Sequence, residues 1–405
     1  MRITMIDRRA LAKLKCERYR KARKKEKGRI LDEFVEEAHC SRDHARWLLR
    51  NHGRRVEVKP LVFVEGDARQ RRPRHRKKIY GPEVVAPLKR VWEILDCICG
   101  KLLAAAIPEV LPKLVECGEL KVRKSVEKKL LAMSASTIDR ILKPEREKYR
   151  FKKRRGGTKP GTLLKSQIPV RTFSDWDEQQ PGFFEMDLVA HEGGNASGDF
   201  CHTLDLTDVH TGWTVLRAVL NKAEKWTFEA LQQLRAELPF PLKGLDSDNG
   251  GEFINHNLYR YCTDEKISFT RARPHRKNDN CYVEQKNWSV VRRFVGYGRY
   301  EGQGACDILN QLYRVLHDYI NFFVPTMKLK EKIQTGGHCL RRYSAPQTPF
   351  QRVLAALEVD AATKQRLRRY YRRLNPAQLR RQIEALQKKL TSLARRNAQT
   401  QETAA

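Results

Sequence analysis

The chain has 405 residues, 40% of them hydrophobic, enough for two to four domains with real cores. Lysine and arginine number 81 against 48 aspartate and glutamate, a formal net charge of +33 that makes a polyanion the first partner to consider, ahead of ribosomes or acidic membranes. Residues 1–9 lack an apolar signal-peptide core and the most apolar stretch, 97–106, is broken by Gly100 and Lys101, so we expect a soluble cytoplasmic protein with no membrane partner.

In chain order, residues 1–28 are dense in Lys and Arg and read as a solvated helix, a flexible arm or a phosphate-contacting arm. Over 29–52, Ile30, Leu31, Phe34 and Val35, then Ala45, Leu48 and Leu49, recur at helical spacing, with Ser41 as N-cap of the second helix. That pair is a candidate helix-turn-helix, or a plain helical hairpin, with Arg42, Arg46 and Arg50 on the exposed side. Residues 53–78 read as a linker whose basic run includes Arg74, Arg76 and Lys77; it either follows a DNA groove or is a tether.

Helical patterning returns at 80–147. Pro82 suits a first turn, and Val84, Val85, Leu88, Val91, Trp92 and Leu95 form a core stripe. A new helix is expected after Ile107-Pro108. A last one starts at Ser136, with Asp139 in a variant capping box, and closes at Pro144. It forms a second helix-turn-helix candidate, with Thr137 and Arg140 as DNA contacts. A basic connection follows, containing Lys152, Lys153, Arg154 and Arg155.

The next stretch is mixed α/β. A strand at 183–189 puts Phe184, Met186 and Leu188 on one face and Glu185 and Asp187 on the other. A hairpin covers 201–219, a helix 224–238, and a strand ends at Asp248, in Asp246-Ser247-Asp248-Asn249-Gly250. Asn and Gly force a turn there. A helix at 254–263, a strand at 267–270 and a loop at 274–280 lead to a helix bearing Glu284. Asp246 rivals Asp248, and Glu185 rivals Asp187; Asp205 and Asp208 read as strand-end and turn residues.

Thirty-five residues separate Asp248 from Glu284, and Asn287 stands three after it. With Asp187 and the Ser-Asp-Asn-Gly turn, this resembles the DDE transposases and integrases with a retroviral-integrase-type core, bacterial insertion-sequence transposases among them. The resemblance covers roughly 170–350. It implies an RNase H-like core in which Asp187, Asp248 and Glu284 are catalytic and hold two Mg²⁺ ions, with Mn²⁺ as a substitute. It implies 3′-end cleavage of double-stranded DNA at terminal inverted repeats, strand transfer into target DNA, and a homo-oligomer, at least a dimer, on the nucleoid. His275, Arg276, Lys277, Lys286, Asn287, Arg292 and Arg293 are then candidate DNA contacts. Retroviral cores place Lys four and seven after the Glu; here stand Trp288, read as core or as a base-stacking residue, and Val291. His39, Cys40, His44 and His52 do not reproduce the family's zinc domain, and the ten cysteines read as reduced core thiols.

Beyond the core, 305–323 is a helix, and Leu379, Ile383, Leu386, Leu390 and Leu393 form a short a/d seam. Arg368, Arg369, Arg372, Arg373, Arg380 and Arg381 are further candidate DNA contacts, and the tail from Asn397 is expected to be disordered. The expected fold is multidomain: a basic arm, first all-α helix-turn-helix module and linker at 1–78, a second at 79–150, a basic linker at 151–181, the RNase H-like core at 182–325, and a small C-terminal domain with a basic helical tail at 326–405. The alternatives are a nuclease of the same fold without strand transfer, or a non-catalytic regulator descended from a transposase.

Overall fold

A computed structural model describes residues 4–59, 62–65, 79–148, 170–171, 180–248, 253, 255–272, 281–335 and 338–403. The chain divides into two compact units, Met1–Ile79 and Tyr80–Ala405.

The first unit packs three helices, α1 (Met5–Lys21), α2 (Lys24–Ala38) and α3 (Arg42–Asn51). The basic segment at 1–28 is no free arm: Ala12, Cys16 and Tyr19 of α1 are buried with Ile30, Phe34, Leu48 and Leu49. Thr4 and Asp7 form a capping box on α1. Ser41 caps α3, accepting the His44 N–H at 3.3 Å, and His39 takes the left-handed conformation (φ 46°) that ends α2. The expected linker begins with an antiparallel hairpin, β1 (Arg55–Lys59) and β2 (Val62–Glu65).

The second unit opens with α4 (Pro82–Ile94), α5 (Gly100–Glu116), α6 (Lys124–Leu131) and α7 (Ala135–Lys148). Here α5 runs through Pro108, where a new helix was expected to begin, and on through Pro112. Burial of Leu103, Ile107, Val110, Leu111 and Leu114 offsets the lost backbone hydrogen bonds. Ser134 rather than Ser136 caps α7, and α7 passes Pro144. Asp139 instead reaches across to accept the Gly100 N–H at 2.8 Å, capping α5.

A six-stranded mixed sheet forms the centre. Its strands are β3 (Val170–Arg171), β4 (Phe183–Ala190), β5 (His202–Asp208), β6 (Thr214–Val219), β7 (Gly244–Ser247) and β8 (Ser268–Ala272), in spatial order β3-β8-β7-β4-β5-β6. The β4, β5 and β6 strands are antiparallel, while β7 runs parallel to β4 and β8 to β7. Strand alternation gives the sheet two unlike faces. Phe184, Met186, Leu204, Leu206 and Leu245 belong to the apolar set; Met186 meets α8 (Glu224–Glu237) and α9 (His256–Asp264). The other face carries Glu185, Thr203, Asp205, Thr207 and Asp246, all buried. It is covered by a helix formed from α10 (Cys281–Lys286), a π-helical turn (Asn287–Arg292) and α11 (Arg293–Val295), and by α12 (Gly302–Phe323).

A hairpin of β9 (Leu329–Thr335) and β10 (His338–Tyr343) leads to α13 (Pro349–Ala355), α14 (Ala361–Arg373) and α15 (Pro376–Thr403). The seam predicted in α15 packs within the unit: Leu379, Ile383 and Leu390 are buried, and the helix lies along α12. Instead of ending in disorder at Asn397, α15 continues to Thr403. Cys16, Cys201, Cys262 and Cys306 are free interior thiols, and Cys99 and Cys117 are exposed. Among the described residues no helix is long and apolar enough to cross a membrane.

Candidate active site

The sheet register brings two sequence-distant aspartates together. Ser247 lies beside Met186 in the parallel β4–β7 pair, so Asp248, the next residue, emerges alongside Asp187 at the end of β7. Asp187 also stands opposite Asp205 of β5. Burial, then the neighbouring Asp248 charge, push the Asp187 carboxyl up to about 8. Its Oδ1 accepts the Leu188 N–H at 2.8 Å, and its Oδ2 accepts a hydrogen from Asn287 Nδ2 at 2.6 Å. The Asn287 bond ties the helix carrying Glu284 to β4 across 100 residues of sequence. Glu284 itself is exposed, one turn before Asn287.

Glu185, a rival to Asp187 in sequence, has a different role. It is fully buried, and its Oε2 accepts both the Tyr282 and Val283 N–H groups at 2.8 Å. A β4 carboxylate therefore caps the first turn of α10 and sets where Glu284 and Asn287 sit. Asp246, the other rival, lies buried beside Glu185 and accepts the Thr270 hydroxyl. Asp208 holds the turn after β5 through Gly182, at 2.9 Å, and Thr211, at 2.6 Å. Asp205 is no strand-end residue: it sits in mid-strand, fully buried, its carboxyl pushed up to about 7 by desolvation.

Beneath this acidic face lies Lys286, a predicted DNA contact that is only 7% exposed. Desolvation pulls its ammonium down to about 8, while Asp205 works against that shift. Lys328 reaches the carbonyls of Val209 and His210 and is pulled by burial down to about 7. Strand periodicity could have flagged Glu185, which shares its face with Asp187; nothing local marks Lys286 as an interior cation.

Other predicted contacts divide by partner. Arg292 donates to the Ala190 carbonyl at 2.8 Å, and Arg293 pairs with Asp96. Arg42 pairs with Asp32, and Arg46 with Asp43 at 3.1 Å, while Arg50 is exposed in the last turn of α3. Thr137 joins the Ser134 cap, and Arg140 is exposed on α7. Trp288, read as core or as a base-stacking residue, is 57% exposed on the π turn and so is not core, whereas Val291 is fully buried. Arg74, Arg76, Lys77, Lys152, Lys153, Arg154, Arg155, His275, Arg276 and Lys277 lie outside the described residues.

Among the described residues no three His, Cys, Asp or Glu side chains are grouped closely enough to hold a metal ion. The pair at Asp187 and Asp248 nonetheless fits a hard cation in kind: its donors are oxygens, and each carboxylate raises the cost of the other's charge. The Asn287 Oδ1 beside them is buried without a hydrogen-bond donor.

No protein-family model matches the chain. The uncharacterized protein y4rM of Sinorhizobium fredii (strain NBRC 101917 / NGR234) is 41% identical over 351 residues, 87% of this chain and 96% of that protein. Among solved structures, the catalytic core domain of BIV integrase is 18% identical over 42% of this chain and 91% of its own, with a TM-score of 0.28. The HTLV-2 integrase catalytic core domain in complex with magnesium, in its dimeric form, is 15% identical over 36% of this chain and 91% of its own, also at 0.28.

Proposed function

The chain belongs to the same family as protein y4rM of Sinorhizobium fredii, and from that premise we propose that it is a DDE-type DNA transposase. The observation that carries this reading is the 2.6 Å hydrogen bond from Asn287 to Asp187, beside Asp248 and one helical turn from Glu284. It joins the helix that carries Glu284 to the strand that carries Asp187, which supports this reading.

In this reading Asp187, Asp248 and Glu284 would hold Mg²⁺, two ions in the full site, with Mn²⁺ as a substitute. The bound cations would lower the pKa of the attacking oxygen and neutralise charge on the leaving one. Asn287 orients Asp187, and Glu185 holds the Glu284 helix over it. Water first attacks a phosphorus at the element end, and the departing 3′-oxygen takes up a proton to give a 3′-hydroxyl. That hydroxyl then attacks a target phosphodiester; a new P–O bond forms and the target's own 3′-oxygen leaves. No covalent protein–DNA link is required. The α2–α3 and α6–α7 helix pairs would read terminal inverted repeats, and two protomers at least would hold the paired ends.

The test is incubation of the purified protein with Mg²⁺ and the DNA flanking its own gene. Cleavage leaving a 3′-hydroxyl, followed by joining, is expected. Each of Asp187→Asn, Asp248→Asn and Glu284→Gln removes several kcal/mol of charge stabilisation, a loss of about a hundredfold or more, while DNA binding persists. Asp246→Asn keeps an acceptor for Thr270 and stays active. Cleavage without joining of pre-cut ends would make the protein a nuclease; binding without any metal-dependent cleavage would make it a regulator.

A further inference from the structure

The arginines of α14 and of the start of α15 looked alike in sequence, yet they do different things. Arg380 pairs with Asp96 at 2.8 Å and with Glu384 at 2.8 Å, and Arg381 with Glu119 at 2.7 Å, so these two fasten α15 to the rest of the unit. On α14 only Leu367 is buried, with Tyr371 stacked on Phe350 at 5.1 Å and Leu374 buried just past the helix end. Those three share one side of the helix at spacings of four and three. Asp360 caps it, accepting the Thr363 N–H at 2.8 Å.

The opposite side carries Arg366, Arg368, Arg369, Arg372 and Arg373, all exposed, and α14 contains no Asp or Glu. Among the described residues none of these five guanidinium groups has an acidic partner. Of the acids near α14, Asp318 accepts from Tyr370 at 2.7 Å, Glu116 pairs with Lys113 at 3.5 Å, and Glu109, near Tyr371, forms no ion pair with these arginines. Arg368 and Arg372, and Arg369 and Arg373, are like charges four apart, which oppose the helix they stand on. The C-terminal helix dipole accounts for Arg372 and Arg373 but not for Arg366, Arg368 or Arg369. The fold therefore has no use for the charges of Arg366, Arg368 and Arg369, and the two like-charged pairs four apart work against the helix.

We propose that the outer face of α14 is a contact surface for the phosphate backbone of duplex DNA, binding without regard to sequence. Arg366 to Arg373 span about 10 Å of helix axis, along which a duplex presents about six phosphate charges. Five guanidinium groups nearly match that density. The assignment of DNA as the polyanion rests on the transposase reading; the surface itself rests on the unpaired charges.

The experiment is a fluorescence-anisotropy titration of a random-sequence duplex with the full chain across a series of salt concentrations. Arg368→Gln, Arg369→Gln and Arg372→Gln together should lower the salt slope of log K by about 2 to 3 and weaken binding at low salt at least about tenfold. Glutamine preserves helix propensity, and an unchanged melting temperature shows that the variant folds. Lys225→Gln, Arg260→Gln and Lys266→Gln, exposed cations in and just after α8 and α9, should leave the slope as it is. An unchanged slope in the α14 variant, or an equal fall in the control, would overturn the proposal. Tighter binding of duplex RNA than of duplex DNA would overturn the choice of partner. Loss of slope in a protein that never cleaves DNA leaves this surface standing and removes the transposase reading; Asp187-dependent cleavage with an unchanged slope does the reverse.

Discussion

Asp187 holds its proton to about pH 8 because burial and the Asp248 charge both disfavour its ionised form. An unfolded chain releases that proton near the ordinary 3.8, so between about pH 4 and 8 the folded state binds more protons and its stability falls as pH rises. Asp187→Asn cannot ionise. Without divalent cation, its melting temperature should gain on the wild type as pH rises through this window; a difference independent of pH would contradict the shift. Glu185 offers a second residue-scale test. Glu185→Ala leaves two N–H groups at the buried end of α10 unpaired and should cost about 1–3 kcal/mol, lowering the cleavage rate more than DNA affinity. Glu185→Gln keeps one oxygen able to accept both N–H groups and should restore most of the rate. If alanine and glutamine behaved alike, the carboxylate would not be what holds the helix.

Helix ends show the same dependence on distant partners at the scale of elements. Ser134 and Ser136 are both plausible caps for α7; the one used is set by how α7 packs on α5, which also turns Asp139 toward Gly100. Gly100 fits tightly there: an added Cβ would stand 2.4 Å from the Ala135 carbonyl oxygen. Asp139→Ala should destabilise the second unit by about 1 kcal/mol through loss of the α5 cap, measurable by denaturant unfolding. Ser136→Ala should have no comparable effect. The π turn at Asn287–Arg292 is a second such case, burying Val290 and Val291 while leaving Trp288 out.

For the whole molecule, the decisive element is α15. Its Ile383 is fully buried, and Arg380 reaches Asp96 from 284 residues away. A terminal helix that lies along α12 belongs to the core rather than trailing from it. Ile383→Ala should therefore cost about 2–5 kcal/mol, as large as a central strand substitution, and a stability change within experimental error would show α15 to be dispensable. The two faces of β4 and the spacing to Glu284 were legible in the chain, because period-two alternation and residue spacing are local; the directions of the strands were implied only by the resemblance. That Asp248 lies beside Asp187 was implied by the resemblance and not by any local pattern. Its exposed position, the capping role of Glu185 and the burial of Asp205 and Lys286 were not legible.

Sequence by itself determined the charge, the strand and helix periods, and the three acidic positions worth testing, since each is a property of residues near one another along the chain. Tertiary structure alone decided which carboxylates serve the fold and which face the candidate site. It also decided which arginines are paired and which remain open. Those distinctions depend on what lies opposite a side chain in space, and burial and charge pairing are set by partners up to hundreds of residues away.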